Sequence, residues 1–261
     1  MSEINEEPEQ GGAVYRAPAL EKGVDILELL SQEARPLTVS MIVQKLGRST
    51  GELFRMIQVL ERRGLISQSL DGFVLTPRLF ELGVRRPQVR DIIETALPVM
   101  RRFAGQCGQS CHVAIRSGSE IVVVARMESR ELFGYSVRIG FRCPMHLTAS
   151  GVILYAFQPD DIRHEWDAVL AKSMSAAART EFRKRCAEVK ETGLVQQPST
   201  FVSGMTDLAA PLLRGGSAAA SLAVPHLKYQ GDPVSVDQTR ELLIAAAAEI
   251  SAELTTGDAG A

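Results

Sequence analysis

The chain has 261 residues and a formal net charge of −2, with 45% hydrophobic and 23% charged residues. This length and composition support a real core, in one large domain or two smaller ones. The four cysteines are too few and too unevenly spaced for the disulfide framework of a small secreted protein. The polar start "MSEINEEPEQGG" is unlike a signal peptide, and no apolar run reaches the length that spans a bilayer. We therefore expect a cytoplasmic protein with no membrane partner.

The small net charge hides an uneven distribution. Residues 1–15 carry four glutamates and no base, and this composition predicts a disordered acidic tail. Residues 16–86 carry 11 Lys and Arg against 8 Asp and Glu, and within them residues 45–63 hold five bases against two acids. Since a local basic patch matters more for DNA than the global sum, this segment is the candidate nucleic-acid contact.

Two short helices are predicted first. A helix starting at Ala19 is indicated by apolar residues at helical spacing, namely Leu20, Val24, Leu27 and Leu30. Pro36 is expected to end it. Thr38 is placed to cap a second helix, which Gly47 closes.

The third predicted helix carries the arginines. Ser49 and Glu52 have the spacing of a capping box, in which each side chain bonds the other residue's backbone N–H. Its buried stripe is predicted to be Leu53, Met56, Ile57 and Leu60. At about 100° per residue, the opposite face consists of Gly51, Arg55, Gln58 and Arg62. Gly64 ends this helix.

A hairpin is predicted next, from the strands "LISQS" and "FVLTP" around the turn Leu70-Asp71-Gly72. Three short helices and a hairpin, with a tight glycine turn between helices two and three, are typical of a winged helix-turn-helix. We assign residues 16–83 to this DNA-binding domain.

The residues of that domain suggest their roles on DNA. Arg55 and Gln58 are the predicted base readers, because a guanidinium can bind guanine and an amide can bind adenine in a bidentate fashion. Backbone N–H groups at Thr50 and Gly51 could meet a phosphate. Phosphate contacts are predicted for Arg48, Arg62, Arg63 and Arg78. The DNA-facing candidates are completed by Thr38, Ser49 and Phe54, although packing is the more usual role for a phenylalanine such as Phe54.

A linking helix is predicted after Pro87. It runs from about Val89 to Gly105 within a linker assigned to residues 84–105, and Pro98 inside it predicts a kink or a break. Its apolar stripe is Ile92, Ile93, Ala96, Val99 and Phe103.

Residues 106–256 are predicted to form an α+β domain with a mainly antiparallel sheet, followed by a tail at 257–261. The predicted strands are "CHVAIRSG", "EIVVVARME", "LFGYSVRIG", "LVQQ", "DLAAPLL" and "SAAASLAVP". The predicted helices are "LTASGVILYAF", two more between residues 159 and 192, and a terminal one over residues 235–254.

The whole order resembles the IclR family of bacterial transcription regulators. The similarity rests on "ALEKGVDILELL", "LFRMIQVLERRGLI", "GFRCPMHLTASGVILYAF" and "GMTDLAAPLL". It implies a winged helix that binds operator DNA, a linker helix and a C-terminal domain that binds a small organic effector, in a regulator of a catabolic operon. Homodimers, often pairing into tetramers, are also implied. A ligand would shift the two winged helices of a dimer and so change operator affinity.

The resemblance also indicates a pocket. It maps the effector contacts onto Tyr135, Cys143, Ala149, Ser150, Gln197, Asp207 and Ser221. Besides these, Met145 and Leu147 could form an apolar wall, and the helix N-terminus through Gly151 would favour a carboxylate. Asp207 stands where the family commonly has cysteine. Since its carboxylate would repel an anion, a hydroxylated, amide or amine-bearing ligand is as plausible as a keto acid.

Other interpretations remain open. Three thiols and two imidazoles, from Cys107, Cys111, His112, Cys143 and His146, could suggest zinc, but their spacing fits no common zinc template. Ser150 with His146 as base could suggest a hydrolase, but the glycine-flanked nucleophile elbow is missing. The chain could also be an adaptor that kept a winged helix without using it for DNA. We predict no enzymatic activity, no metal and no cofactor.

Overall fold

The computed structural model describes residues 17–85, 87–132, 134–229 and 234–257. The chain divides into two compact units, one ending at Arg86 and the other beginning at Pro87. The predicted N-terminal tail lies outside the described residues, and of the predicted C-terminal tail only Gly257 is described, at the end of a helix.

The first unit is a helix-turn-helix domain with a hairpin, as predicted. Its elements are α1 (Pro18–Gln32), α2 (Val39–Leu46), α3 (Thr50–Arg62), β1 (Ile66–Ser69), β2 (Gly72–Leu75) and α4 (Arg78–Val84). The Thr38 hydroxyl caps α2 by accepting a hydrogen bond from the Met41 N–H at 3.3 Å. Gly47 ends α2 in the left-handed conformation, which glycine adopts without steric cost. Helix α4 was not predicted.

The core of this unit confirms one predicted stripe and corrects another. In α3, Leu53, Ile57 and Leu60 are buried, and Met56 packs partly buried against them. In α1 the predicted stripe is partly wrong, because Leu20 is 69% exposed and Val24 is also exposed. Leu30 is buried and Leu27 packs partly buried against the core as predicted, and they are joined on the inward face by Gly23 and Ile26. Helix α1 has two neighbouring apolar stripes, and tertiary packing selects between them.

A carboxylate organises the start of α3. The Glu52 side chain accepts hydrogen bonds from the Ser49 backbone N–H at 3.1 Å and from the Ser49 hydroxyl at 2.9 Å. It also pairs with the Lys22 ammonium at 2.8 Å. The Lys22 hydrogen bond, followed by those from Ser49, lowers the pKa of Glu52 to about 2. The first turn of α3 is thereby tied to α1, a long-range contact that the sequence pattern does not reveal.

The hairpin is held to the helices through Leu37. Leu37 and Phe73 exchange two backbone hydrogen bonds, at 3.1 and 2.8 Å, so the segment before α2 lies against β2 like a third short strand. The close approach requires Gly72, whose φ is +137°. A Cβ atom at Gly72 would lie 2.5 Å from the Leu37 carbonyl carbon and oxygen. The wing is therefore fixed by a contact that only glycine permits.

The second unit contains eleven helices and strands and one short 3₁₀ turn (Met145–Leu147) within its described residues. They are α5 (Pro87–Cys107), β3 (Cys111–Ser117), β4 (Glu120–Met127), β5 (Arg142–Pro144), α6 (Ala149–Ala156), α7 (Asp160–Leu170), α8 (Ala176–Thr192), β6 (Val195–Pro198), β7 (Met205–Arg214), β8 (Ser217–Leu227) and α9 (Val236–Gly257).

One six-stranded sheet organises this unit. Its order is β5-β4-β3-β8-β7-β6, and every neighbouring pair is antiparallel. Residues of α5 and α9 share one apolar core with alternate residues of β3, β7 and β8. Residues of α6, α7 and α8 form a second core with the other face of the sheet. The predicted α+β class with an antiparallel sheet is confirmed.

Two details of the second unit differ from expectation. Of the predicted kink or break at Pro98, the break does not occur, because α5 continues through this residue. Pro98 lies on an exposed face of α5, where the carbonyl that loses its N–H partner can reach water. The predicted strand "LFGYSVRIG" is also wrong in its described part, since residues 134–138 have no regular structure and the strand is β5 instead. Gly140, at φ +84°, turns the chain just before β5.

No helix in the described ranges combines the length and the apolar character needed to cross a membrane.

Replacing Gly72 with alanine should destabilise the first unit. The new Cβ would collide with backbone atoms of Leu37 in a conformation that L-residues rarely adopt, so we expect a loss of about 1–3 kcal/mol in the free energy of unfolding. Denaturant unfolding followed by circular dichroism measures it. Gly64→Ala is the matched control, because Gly64 also has a positive φ (+68°) but faces open space. Equal effects of the two substitutions would contradict the proposed clash.

The Glu52 ion pair should make the first unit acid-sensitive. Because the pKa of Glu52 falls from 4.5 to about 2 on folding, its contribution is complete above pH 4.5 and disappears as the pH falls towards 2. In Glu52→Gln this part of the pH dependence should be absent. Thermal unfolding between pH 6 and pH 2 tests it, and parallel stability curves for the two proteins would show that the carboxylate does not stabilise the fold.

Candidate functional sites

The polar face of α3 is open to solvent. Arg55, Gln58 and Arg62 are exposed, and so is Arg63 at the C-terminal cap. Across the part of the chain that the structure describes, these three arginines form no ion pair. Exposed Thr50 and Gly51 begin the helix. The structure thus brings the predicted base readers and several predicted phosphate contacts onto one accessible surface, which we call the arginine face.

Other predicted DNA contacts already have partners within the domain. Arg48 pairs with Asp25 at 3.0 Å, and Arg78 pairs with Glu81 at 2.8 Å. Either guanidinium would have to share or leave its carboxylate to meet a phosphate. Such exposed pairs are worth only about 0–1 kcal/mol, so exchange is inexpensive.

Three further candidates have distinct positions. The hydroxyls of Thr38 and Ser49 serve the starts of α2 and α3, by accepting from Met41 and donating to Glu52. Phe54, for which packing was the favoured role, is not a core residue, because 46% of its surface is exposed. It therefore adds an apolar element next to Arg55 on the outside of α3.

The second unit contains a cavity of about 530 Å³. Its floor is the sheet face that carries His112 and Asp207, and the N-terminus of α6 forms one side with Thr148, Ala149 and Ser150. Two loops close it, one comprising residues 134–141 and the other residues 199–201. A volume in this range suits a small organic molecule.

The two loops meet over the cavity. The rings of Phe141 and Phe201 pack edge to face with their centroids 6.2 Å apart. The Thr200 hydroxyl donates to the Leu147 carbonyl at 3.0 Å. The ring contact joins the two loops, which are about 60 residues apart in sequence, and the hydrogen bond ties the second loop to the turn before α6.

Four of the ten predicted effector residues line this cavity, namely Tyr135, Ala149, Ser150 and Asp207. Among the other six, Cys143, Met145 and Ser221 are buried in the fold and Leu147 is exposed outside the cavity lining. Gln197 borders a separate surface groove, where it accepts a hydrogen bond from Arg185 at 2.9 Å.

Gly151, the sixth of these, has a structural role instead. A Cβ atom there would lie 2.1 Å from the Met145 carbonyl oxygen, so α6 can pack against the preceding turn only with glycine at this position. The Gly151 N–H is also occupied, because it donates to the Thr148 hydroxyl at 2.9 Å. The small residues of "TASG" therefore reflect close packing at Gly151 and access to the cavity at Ala149 and Ser150.

The lining residues that sequence reasoning missed include His112, Arg138, Phe141, Ser199 and Phe201. The alternation of β3 offered a signal for His112, since Cys111 and Val113 point into the core shared with α5 and α9. The loop residues gave no comparable signal, because their positions depend on long-range contacts.

The cavity lining includes the ionisable side chains of Asp207, His112 and Arg138. Asp207 is half-buried, and burial raises its pKa, although a hydrogen bond from Ser199 acts in the opposite direction. Burial lowers the pKa of His112 to about 4, so its imidazole is neutral at pH 7. Arg138 lines the cavity from an exposed loop.

The residues of the zinc and hydrolase interpretations all lie in the second unit. Within the described ranges no group of three His, Cys, Asp or Glu side chains could hold a metal ion. No hydrogen bond joins Ser150 to His146, and the Nδ1 atom of His146 is buried with no partner among the described residues. Burial, and then the charge of Arg185, lowers the pKa of that imidazole.

Comparison with protein-family models gives two matches. Residues 86–252 match the bacterial transcriptional regulator IclR C-terminal domain, and residues 19–70 match the IclR helix-turn-helix domain. The chain is 29% identical over 149 residues to the HTH-type transcriptional repressor AllR of Escherichia coli (strain K12). That match covers 56% of this chain and 55% of AllR, about half the length of that relative.

Solved structures share the fold. An IclR homologue from Microbacterium hydrocarbonoxydans, complexed with 4-hydroxybenzoate, has a TM-score of 0.74 at 24% identity, covering 90% of this chain and 98% of that one. The Thermotoga maritima IclR has a TM-score of 0.65 at 22% identity, with 90% and 98% covered. Together, the matched domains and the fold establish that the chain belongs to the IclR family of bacterial transcriptional regulators.

Proposed function

We propose that this protein is a one-component, ligand-responsive transcriptional regulator that binds operator DNA through its first unit and a small organic effector through its second. It would act in the cytoplasm on a catabolic operon. The observation that chiefly supports this proposal is the exposed arginine face, whose arginines form no ion pair with a described residue.

The exposed side chains of α3 support the proposal that the first unit binds DNA. The N-terminal part of the helix would enter a major groove, with Arg55 and Gln58 contacting base edges. Arg62 and Arg63 would contact phosphates, which position the protein without reading sequence. The opposite face of α3 is buried in the core, so the helix can present only this surface to DNA.

The cavity of the second unit supports the proposal that the protein binds an effector. Its walls combine apolar side chains with a few polar groups, which is the usual composition of small-molecule sites. The N-terminus of α6 and Arg138 could both meet an acidic or other electron-rich group of a ligand. Asp207 offers the opposite chemistry, so the ligand need not be a simple anion.

The protein would work as a homodimer, and two such dimers could pair into a tetramer, as in its family. A ligand that binds one arrangement of the two DNA-binding domains better than the other by a few kcal/mol would shift operator occupancy. We favour regulation over the adaptor, zinc and hydrolase interpretations because the two matched domains are an IclR helix-turn-helix domain and a bacterial transcriptional regulator domain.

Substitution of Arg55 with alanine should weaken specific DNA binding by about 1–3 kcal/mol and relax the preference at one base position. A duplex selected from a randomised pool by the wild-type protein supplies the sequence, and fluorescence anisotropy at several salt concentrations measures affinity. If Arg55 contacts a base, the substitution should reduce affinity strongly for the selected duplex and only slightly for random DNA.

Arg130→Ala is the matched control, because Arg130 is an exposed arginine of the second unit with no ion pair to a described residue. It should leave both affinity and base preference unchanged. If Arg55→Ala behaves like this control, the base-reading role is excluded. If the wild-type protein selects no sequence and its binding does not depend on salt, the regulator proposal itself fails.

A further inference from the structure

We propose that Asp207 makes the cavity selective for a ligand that carries a hydrogen-bond donor, either an ammonium or a hydroxyl group, over the same ligand without one. This inference rests on the proposed function, since it concerns what the sensing cavity binds. It adds a ligand class and the residue that determines it.

The alternation of β7 directs Asp207 towards the cavity. Leu208, Ala210 and Leu212 belong to the core on the α5 and α9 side of the sheet, whereas Ala209 belongs to the opposite core with α6. Since neighbouring residues of a strand point to opposite faces, Asp207 lies on the α6 side, where it lines the cavity. The carboxylate is therefore on the same wall that a ligand would contact.

The hydrogen-bonding capacity of this carboxylate is largely unused. An ionised carboxylate has about four acceptor positions. Among the described residues, Ser199 is the side chain whose hydrogen bonding lowers the pKa of Asp207, against the effect of burial. Ser199 is itself held in place, because its N–H donates to the Met205 carbonyl at 2.9 Å and its hydroxyl accepts from the Phe201 N–H at 3.3 Å. The remaining acceptor positions are available to a ligand.

No described residue forms an ion pair with Asp207. His112, which lines the same cavity, is neutral at pH 7. Arg138 lies on the exposed loop and forms no ion pair with Asp207. Burial of a carboxylate without an ion-pair partner is unfavourable, so a ligand that brings a donor gains a charge-assisted hydrogen bond. A ligand without a donor must instead leave the carboxylate both desolvated and unpaired.

The apolar lining of the cavity indicates what the rest of the ligand should be. Tyr135, Phe141 and Phe201 offer aromatic surface, while Ile121 and Val137 add aliphatic surface. An apolar ring or chain of the ligand would pack against these side chains. The N-terminus of α6 could hold an acceptor group of the same molecule, such as a carboxylate.

Two matched ligand series test the proposal by isothermal titration calorimetry on the full chain. The first is 4-ethylbenzoate, 4-(hydroxymethyl)benzoate and 4-(aminomethyl)benzoate, in which the donor is far from the carboxylate. The second is 3-phenylpropionate, phenyllactate and phenylalanine, in which the donor is beside it. In at least one series, the donor-bearing members should bind the wild-type protein about tenfold or more tightly than the member without a donor.

Variants at Asp207 assign the preference to that residue. In Asp207→Asn the ammonium-bearing probe should lose more affinity than the hydroxyl-bearing one, because the charge is removed but hydrogen bonding remains. In Asp207→Leu the preference should disappear or reverse. Binding of the donor-free probe by this variant, together with its thermal unfolding curve, shows that it is folded. Asp161→Asn removes an exposed carboxylate on α7 and should retain the wild-type preference.

Two outcomes would overturn the proposal. One is the absence of a donor preference in both series, including the case in which no probe binds. The other is a donor preference that Asp207→Leu retains. Selection of DNA by the wild-type protein is measured separately, so failure of the ligand class leaves the regulator proposal standing, and failure to bind DNA is recognised independently.

Discussion

Burial of one face of α3 determines what the other face can do. Leu53, Ile57 and Leu60 are in the core of the first unit. Each fully buried side chain of this kind contributes about 1.5–3 kcal/mol, so rotating the helix to hide its arginines would cost several such contributions. Within the first unit, the arginine face therefore stays on the surface. Under the proposed function, Arg55 and Gln58 on this face would contact DNA.

The same constraint acts on the sheet of the second unit. Its strands bury large apolar residues towards α5 and α9, and this fixes the direction of the intervening side chains. Asp207 and His112 are therefore directed to the opposite face by their neighbours rather than by attractions of their own. The cavity has polar groups on its wall because the apolar neighbours of these groups are buried on the α5 and α9 side of the sheet.

Close packing of α6 completes the cavity. Gly151 allows this helix to lie directly on the Met145 carbonyl, and the Thr148 hydroxyl satisfies the N–H of the same glycine. The first turn is thus held in place by the protein, which leaves Ala149 and Ser150 at the cavity surface. Preorganisation of this kind reduces what a ligand must contribute to order its own site. The outer wall depends instead on the edge-to-face contact between Phe141 and Phe201.

The sequence by itself determined the features that depend on neighbouring residues. The cap at Thr38, the left-handed Gly47, the buried stripe of α3 and the hairpin were predictable, because helix ends and turns require particular residues at fixed local offsets. The family resemblance added Tyr135, Ala149, Ser150 and Asp207 to the cavity. The alternation of the strands also indicated the antiparallel sheet of the second unit.

Only the tertiary structure decided the features that depend on distant residues. The face of α1 that is buried, the bond from Lys22 to Glu52 and the irregular path of residues 134–138 all follow from partners far along the chain. The same holds for His112, Arg138 and Phe201, which share a cavity because separate segments pack together. Hydrophobic periodicity identifies a face that must be buried, but the residues on the partner element decide which of two adjacent faces it is.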